Sequence, residues 1–214
     1  MKPFDLSLYL LTDRPLSLGR PLDRVVEEAV HGGVSMVQLR EKNSSSREFY
    51  ELAVLLKKCL KPHGVPLIIN DRLDIALACD AEGLHIGQSD IPYEIARKLF
   101  GKEKIIGLSV ESVQDAFDAN ETDVDYIGIS PVFGTSTKTD TARPLGLEGV
   151  LAISKISRHP CVAIGGINHT NAAEIMEAGA DGISVVSAIM SAVSPGKAAS
   201  ELRDISQLRE TKGR

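Results

Sequence analysis

The sequence predicts an α/β protein built as a single (β/α)8 (TIM) barrel, and two observations carry that prediction. Short apolar, strand-like runs alternate along the chain with stretches whose apolar residues recur at helical spacing. Eight such β-then-α units follow one another, and no linker or low-complexity run divides them. Parallel strands joined by helices need a helical cover on their outer side, and eight units close naturally into a barrel. A doubly wound open sheet is the alternative.

The predicted strands share a length of four or five residues and a mainly apolar composition. They are Leu8–Leu11, Met36–Arg40, Leu67–Asn70, Gly83–Ile86, Ile105–Ser109, Tyr126–Ser130, Val162–Gly165 and Gly182–Val186. Helical spacing between them is clear in residues 22–30 and 49–60. One long irregular segment, residues 131–146, follows the sixth strand, and its length is typical of a functional loop.

Length and composition indicate one ordinary globular domain, which we expect to span residues 1–208 with a frayed tail over 209–214. The chain has 214 residues, of which 43% are hydrophobic, and no apolar run approaches the ~20 residues that a membrane span needs. The N-terminus lacks the basic and apolar regions of a secretory signal, so we expect a cytoplasmic protein. A net charge of −5 argues against a general nucleic-acid surface. The composition leaves a homo-oligomer open.

The end of the second strand carries the most informative residues. Gln38, Arg40 and Lys42 are spaced two apart, so on a strand their side chains point the same way, toward the mouth of a barrel. An arginine fork fits two phosphate oxygens and a lysine adds a compact charge, which suits a diphosphate. The alternative is a solvated strand end whose charges pair with Glu41, and these residues alone do not decide between the two.

Further polar residues follow the other strands at the same predicted rim. They are Asn70, Asp71, Gln88, Asp90, Ser109, Thr135, Ser136, Thr137 and Lys138. Asp71 and Asp90 are one β/α unit apart, and two carboxylates beside phosphate-binding cations form a set that suits Mg²⁺. Each aspartate alone is better explained as a helix cap, or for Asp71 as a partner of Arg72, but the pair favours a metal.

Two segments near the C-terminus predict a phosphate site. Gly165 and Gly166 follow the seventh strand, and Val186 and Ser187 follow the eighth directly before a helix. Backbone N–H groups at such turns and helix starts bind anions, and barrels commonly hold a phosphomonoester there. His85 lies within a strand-like run and is interpreted as a structural or supporting residue. No P-loop and no strand-linked Gly-x-Gly-x-x-Gly motif is present.

The assembled motifs resemble the thiamine-phosphate synthase family over nearly the whole chain. They are Tyr9-Leu-Leu-Thr-Asp13, Gln38-Leu-Arg-Glu-Lys42, Ile69-Asn-Asp-Arg72, His85-Ile-Gly-Gln88 with Asp90, Pro131-Val-Phe133, Thr135-Ser-Thr-Lys138, Ala163-Ile-Gly-Gly-Ile167 and Val185-Val-Ser-Ala188. Two positions depart from the family pattern: Glu111 stands where a histidine is frequent, and Gly134 replaces a frequent proline. We expect these departures to affect rate and affinity rather than the type of reaction.

The resemblance implies a (β/α)8 barrel, dependence on Mg²⁺ and two small-molecule substrates. A pyrimidine diphosphate would be bound by Gln38, Leu39, Arg40, Glu41, Lys42, Asn70, Ser109 and Lys138. A thiazole phosphate would be bound by Thr135, Ser136, Thr137, Gly166, Val186 and Ser187. Asp71 and Asp90 would hold Mg²⁺, and Arg40, Lys42, Ser109 and Lys138 would be catalytic, with Ser109 placed to bond the pyrimidine amino group.

The implied reaction is the coupling of the two substrates to thiamine phosphate with release of diphosphate. Loss of diphosphate leaves positive charge on a methylene that the electron-rich aminopyrimidine stabilises, so the protein needs no nucleophile and must instead neutralise the leaving group. Whether the thiazole carries a 2-carboxylate that is lost as CO2 is left open. Two rival functions are an isomerase like the related thiazole tautomerases and a phosphate-ligand sensor, and neither explains a diphosphate and metal set.

Overall fold

The computed structural model describes residues 4–134 and 143–207, and its eight strands form a closed parallel barrel. The strands are β1 (Leu8–Leu11), β2 (Met36–Leu39), β3 (Leu67–Asn70), β4 (Gly83–Ile86), β5 (Ile105–Val110), β6 (Tyr126–Ile129), β7 (Cys161–Ile164) and β8 (Gly182–Val185). Each pairs with the next along the chain, and β1 pairs with β8. The predicted barrel is confirmed, and the open-sheet alternative is wrong.

Helices cover the outside of the barrel between successive strands. They are α1 (Leu22–His31), α2 (Ser46–Leu60), α3 (Leu73–Ala78), α4 (Tyr93–Phe100), α5 (Val113–Ala119), α6 (Gly146–Ile156), α7 (Ala172–Glu177), α8 (Ser187–Met190) and α9 (Pro195–Gln207). Local sequence explains where several begin. Ser45 caps α2 in a reciprocal pair with Glu48, and Ser112 caps α5. None of the helices in these ranges is long and apolar enough to cross a membrane.

Predicted and observed strand ends differ by at most one residue. β2 ends at Leu39 instead of Arg40, β6 ends at Ile129 instead of Ser130, and β5 continues to Val110. Arg40 therefore begins the loop after β2, although its backbone N–H still bonds the Thr12 hydroxyl at 3.2 Å. The tail and residues 135–142 lie outside the described ranges.

The interior of the barrel changes from apolar to polar toward the carboxyl ends of the strands. On the inward face Met36 is followed by Gln38 and Ile68 by Asn70, two positions further along each strand. Inward side chains of a closed barrel stack in layers, so this sequence pattern gives an apolar floor with a polar layer above it. The outward residues of the same strands pack against the helices in a second, larger apolar core.

Glycine at two inward positions makes room for the polar layer. Gly107 pairs in register with His85 on one side and with Tyr126 on the other. A Cβ at Gly107 would collide with both side chains, and one at Gly128 would approach His85 Cε1 at 3.2 Å. The missing side chain lets the His85 and Tyr126 rings stack with centroids 5.5 Å apart.

We predict that Gly107→Ala lowers the free energy of unfolding by about 1–3 kcal/mol, because the added methyl overpacks the barrel interior. Chemical denaturation monitored by circular dichroism measures the change. Gly134→Ala is the matched control, since a Cβ there meets no described atom within 4 Å. Equal stability of the two variants would contradict the packing argument.

Candidate functional site

Two adjoining cavities open at the carboxyl ends of the strands. The larger has a volume of about 410 Å³ and is lined mainly from β2, β3, β4 and β5 and the loops after them. The smaller, of about 90 Å³, lies over β7 and β8. The residues that line both are Leu11, Arg40, Ser130, Ile164 and Ser184. The cavities therefore share a wall in which Arg40 is the charged member.

The three side chains that follow the end of β2 line the larger cavity together. Gln38 is buried inside the barrel, Arg40 is half-buried at the shared wall, and Lys42 reaches the exposed rim. Within residues 4–134 and 143–207, Arg40 makes no ion pair. Glu41 is bound to Arg14 at 2.7 Å instead of to Arg40 or Lys42, so the alternative that paired these cations with Glu41 is wrong.

Lys42, Asp71 and Asp90 form a charged cluster on one side of the cavity. Lys42 Nζ lies 2.7 Å from Asp71 Oδ2, and Asp90 Oδ2 accepts the Gly87 N–H at 2.7 Å. Burial raises the pKa of Asp90, and hydrogen bonding with Asp71 raises it further, while the Gly87 N–H opposes the rise. Two carboxyl groups this close repel when both are ionised.

The structure removes the helix-cap explanation for both aspartates. Helix α3 begins after Arg72 and α4 after Pro92, with no side-chain cap at either. Arg72 pairs with Asp74 at 2.6 Å, not with Asp71. The Asp71 backbone lies in the left-handed region at φ 61°, where aspartate is among the more tolerated residues, and this turn directs its carboxylate toward Lys42.

The donor set can be tested for a divalent cation on these observations. Asp71 and Asp90 supply two carboxylates that face each other at a cleft, and hard oxygen ligands of this kind are what Mg²⁺ takes when substrate phosphates and water complete its shell. In the described part of the chain, no group of three or more His, Cys, Asp or Glu side chains is placed to hold a metal. The residues thus fit an ion shared with a ligand.

A buried hydrogen-bond chain crosses the floor of the larger cavity. Gln38 Nε2 donates to Tyr9 Oη at 2.6 Å, and Tyr9 Oη lies 2.9 Å from Tyr126 Oη. Tyr126 Oη lies 2.9 Å from His85 Nδ1, and His85 Nε2 lies 2.9 Å from Ser109 Oγ. Burial raises the pKa of both tyrosines, so their hydroxyls keep their protons. These bonds hold His85 in the barrel interior, which agrees with its interpretation as a structural or supporting residue.

The smaller cavity is built around a double-glycine turn. Gly165 has φ 109° and Gly166 has φ 65°, and both conformations disfavour residues with a side chain. A Cβ at Gly166 would lie 2.7 Å from the Gly134 carbonyl oxygen. Val186 and Ser187, at the start of α8, line the same cavity. The backbone of the double-glycine turn and the hydroxyl of Ser187 therefore lie together in a mainly apolar pocket.

The remaining predicted residues divide into three groups. Asn70 and Ser109 line the larger cavity as predicted. Leu39 is buried in the core between barrel and helices, and Glu41 lines neither cavity, so their side chains point away from the space that the resemblance assigns to them. Thr135, Ser136, Thr137 and Lys138 lie outside the described residues.

Several residues in or beneath the larger cavity were not predicted from the sequence or were named without a role. Tyr9 and Tyr126 sit in predicted strands, and the signal that could have found them is a polar-tipped aromatic at an inward barrel position. Gln88 donates to the Ser109 carbonyl at 2.6 Å and ties the loop after β4 to β5. Glu111, one of the two departures, lines the larger cavity.

A closed parallel barrel with its polar cleft at the carboxyl ends of the strands defines the class, a (β/α)8-barrel enzyme. The family model described as thiamine monophosphate synthase matches residues 8–189. A thiamine-phosphate synthase of Syntrophomonas wolfei is 55% identical over 201 residues, covering 94% of this chain and 96% of its own. A thiamine-phosphate synthase of Albidiferax ferrireducens is 52% identical over 200 residues, which cover 94% of this chain and 91% of that relative.

A solved structure agrees with these relatives. The thiamine phosphate pyrophosphorylase from Pyrococcus furiosus superposes with a TM-score of 0.86 at 40% sequence identity, covering 94% of this chain and 96% of that one. The chain belongs to the thiamine monophosphate synthase family. The family resemblance and the transferase class predicted from the sequence are thereby confirmed.

Proposed function

We propose that this chain couples 4-amino-2-methyl-5-(diphosphooxymethyl)pyrimidine to 4-methyl-5-(2-phosphoethyl)thiazole, or to its 2-carboxy form with loss of CO2, giving thiamine phosphate and diphosphate. The observation that carries the proposal is the pair of cavities joined at Arg40. One is polar and charged and suits a diphosphate ester, and the other is mainly apolar and ends in a double-glycine turn that suits a heterocycle with a phosphate. A two-substrate condensation needs such a shared wall, because proximity supplies much of its rate.

The charged side of the larger cavity is assigned to the leaving diphosphate. Arg40 and Lys42 supply cationic donors, Asn70 adds an amide, and Lys138 is proposed to join them from the loop after β6. Asp71 and Asp90 would hold Mg²⁺ beside these groups. When bound, the cation would neutralise charge that develops on the diphosphate as it departs.

The protein's own part in the reaction is to stabilise the negative charge of the departing diphosphate and to exclude water from the reacting carbon. The methylene carbon–oxygen bond breaks with its electron pair moving to the diphosphate, and the thiazole nitrogen lone pair then forms the new carbon–nitrogen bond. Arg40 and Lys42 stabilise the anion, while Leu11 and Ile164 in the shared wall keep water from the cationic carbon.

The thiazole phosphate is assigned to the smaller cavity. Gly166 lines this cavity at a turn where the Gly134 carbonyl oxygen leaves no room for a Cβ, and Val186 and Ser187 face the same space. Thr135, Ser136 and Thr137 are proposed to complete this site. Leu39 and Glu41, whose side chains point elsewhere, would contact the pyrimidine substrate only through their backbone. A single domain over residues 1–208, a cytoplasmic location and a possible homo-oligomer also stay predictions.

The first prediction from the proposed function is the reaction itself. Purified protein given both substrates and Mg²⁺ should form thiamine phosphate and diphosphate in equal amounts, and excess EDTA should abolish both. Chromatography of the mixture measures the two products. Binding of the thiazole phosphate without either product would favour an isomerase or a sensor over the synthase.

The second prediction separates the metal pair from ordinary surface charge. Asp71→Asn should lower kcat/KM by roughly 100-fold or more, because an oriented charge at the reacting groups is lost, and should raise the Mg²⁺ concentration needed for half-maximal rate. Asparagine also tolerates the left-handed backbone, so the turn is kept. Circular dichroism melting should change little.

Asp74→Asn is the control for the metal pair, since Asp74 lies on α3 and pairs with Arg72 outside both cavities. It should keep the turnover and the Mg²⁺ requirement of the unmodified protein. Equal losses in the two variants would remove the distinction on which the metal assignment rests.

The third prediction concerns the phosphate site. Ser187→Ala should raise the KM for thiazole phosphate about tenfold, the loss of one hydrogen bond to a charged group, and leave the KM for pyrimidine diphosphate unchanged. Ser191→Ala, at the end of α8 and outside the cavity, is the matched control. An unchanged thiazole KM in Ser187→Ala would place the phosphate elsewhere.

A further inference from the structure

The buried hydrogen-bonded chain joins Gln38 to Ser109 through Tyr9, Tyr126 and His85, and Gln38, Tyr9, His85 and Ser109 line the larger cavity. Its five members come from five different strands: Tyr9 from β1, Gln38 from β2, His85 from β4, Ser109 from β5 and Tyr126 from β6. The proposed reaction takes no proton from these five hydrogen-bonded side chains. Every step is a short contact of 2.6 to 2.9 Å, and this continuous bonding calls for a separate explanation.

The direction of every hydrogen bond in the chain follows from its first donor. An amide nitrogen can only donate, so Tyr9 Oη accepts from Gln38. Among the described residues, Tyr126 Oη is then the remaining partner for the Tyr9 hydrogen, so Tyr9 donates to Tyr126. Tyr126 then donates to His85 Nδ1, which must be unprotonated. The proton of the neutral imidazole is therefore on Nε2, and it is donated to Ser109 Oγ.

The two ends of the chain consequently present opposite groups. Within the described residues, Gln38 Oε1 is buried and accepts no hydrogen bond, while the Gln38 side chain lines the larger cavity. An unpaired buried acceptor costs free energy until a donor reaches it. Ser109 Oγ already accepts from His85, so its own hydrogen is free to be donated toward the cavity.

We propose that Tyr9, Tyr126 and His85 are positioning residues that fix this polarity, so that the cavity offers one acceptor at Gln38 and one donor at Ser109. The inference rests on the proposed function, because an aminopyrimidine supplies the matching amino N–H and ring nitrogen. The amino group faces Gln38 Oε1, and a ring nitrogen accepts from Ser109. Ser109 thus serves the ring rather than the amino group that the sequence analysis assigned to it.

The reverse polarity is a definite alternative with a different signature. It would need the amide oxygen of Gln38 at Tyr9, every hydroxyl turned about, and the proton of His85 on Nδ1. The site would then offer a donor at Gln38 and an acceptor at Ser109. The position of one proton on one imidazole ring therefore distinguishes the two arrangements.

The first experiment determines which ring nitrogen of His85 carries the proton in the unmodified protein. Nitrogen-15 NMR of histidine-labelled protein at about pH 8, where imidazole is ordinarily neutral, distinguishes the two tautomers by the shifts of the two ring nitrogens. The His85 signals are assigned by their disappearance in His85→Gln. We expect the Nε2–H tautomer for His85, and the Nδ1–H tautomer would overturn the proposal.

The second experiment tests whether Tyr126 acts through Ser109. Tyr126→Phe removes the donor to His85 Nδ1 but leaves Tyr9 able to accept from Gln38. It should raise the KM for pyrimidine diphosphate about tenfold and leave the KM for thiazole phosphate unchanged. In a Ser109→Ala background the same change should have little further effect, and fully additive losses would overturn the proposal.

A matched variant serves as the control for the KM measurements. Tyr93→Phe removes a tyrosine hydroxyl that bonds Arg97 and the Asp123 N–H on the outside of the barrel, and it should change neither KM. If Tyr126→Phe does not fold, the tautomer measurement on the unmodified protein still decides the polarity. Absence of thiamine phosphate formation would defeat the proposed function, whereas full turnover with an Nδ1–H His85 would defeat only this inference.

Discussion

The hydrogen-bonded layer inside the barrel is the interaction on which the rest of the site depends. Each buried polar group that lacks a hydrogen bond costs about 1–3 kcal/mol, so a polar layer inside a closed barrel must be largely hydrogen-bonded. Tyr9, Tyr126 and His85 meet this requirement by bonding to one another, with Gln38 and Ser109 at the ends. The layer thereby separates an apolar floor from the polar cavity above it.

The rim holds its charges in arrangements that a substrate can displace. Lys42 and Asp71 form a pair whose side chains are 47% and 21% exposed, and exposed pairs of this kind are worth only about 0–1 kcal/mol. An incoming diphosphate can therefore take Lys42 from Asp71 at little cost. Arg14 keeps Glu41 out of the cavity, which leaves Arg40 without a competing carboxylate among the described residues. The result is a pair of cationic side chains, Arg40 and Lys42, that an anion can reach.

The sequence specifies the fold and the rim because both follow from local periodicity. The strand starts and ends come from short apolar runs, and alternation along β2 places Gln38, Arg40 and Lys42 together. The same alternation turns Leu39 to the outer face of the barrel, against the helices. The family motif runs through residues 38–42 without a break, so it does not show that Leu39 points away from the cavity. Local pattern carries no information about contacts between distant strands. Tyr9 and Tyr126 are 117 residues apart, so their hydrogen bond could not be predicted.

Backbone conformation sets a second limit on what sequence can predict. Asp71 reads as a helix cap or a partner of Arg72, because those are the common roles of an aspartate before a helix. Its left-handed φ of 61° redirects the side chain to Lys42 and toward Asp90. A non-glycine residue in this region is sterically disfavoured and persists only where its surroundings hold it. The Asp71 N–H bond to the His85 carbonyl, 2.8 Å long, supplies part of that restraint.

The shared wall of the two cavities would explain how one small barrel serves the proposed reaction, in which a cationic carbon forms. The wall joins Arg40 to the apolar side chains of Leu11 and Ile164. A charged wall alone would stabilise the departing diphosphate but would also hold water beside the carbon. In the proposed reaction, the apolar side chains between the cavities would leave the thiazole nitrogen as the nearest nucleophile. The proposed reaction therefore needs two close pockets with an apolar boundary, and Leu11 and Ile164, inward residues of β1 and β7, supply the apolar part of the shared wall.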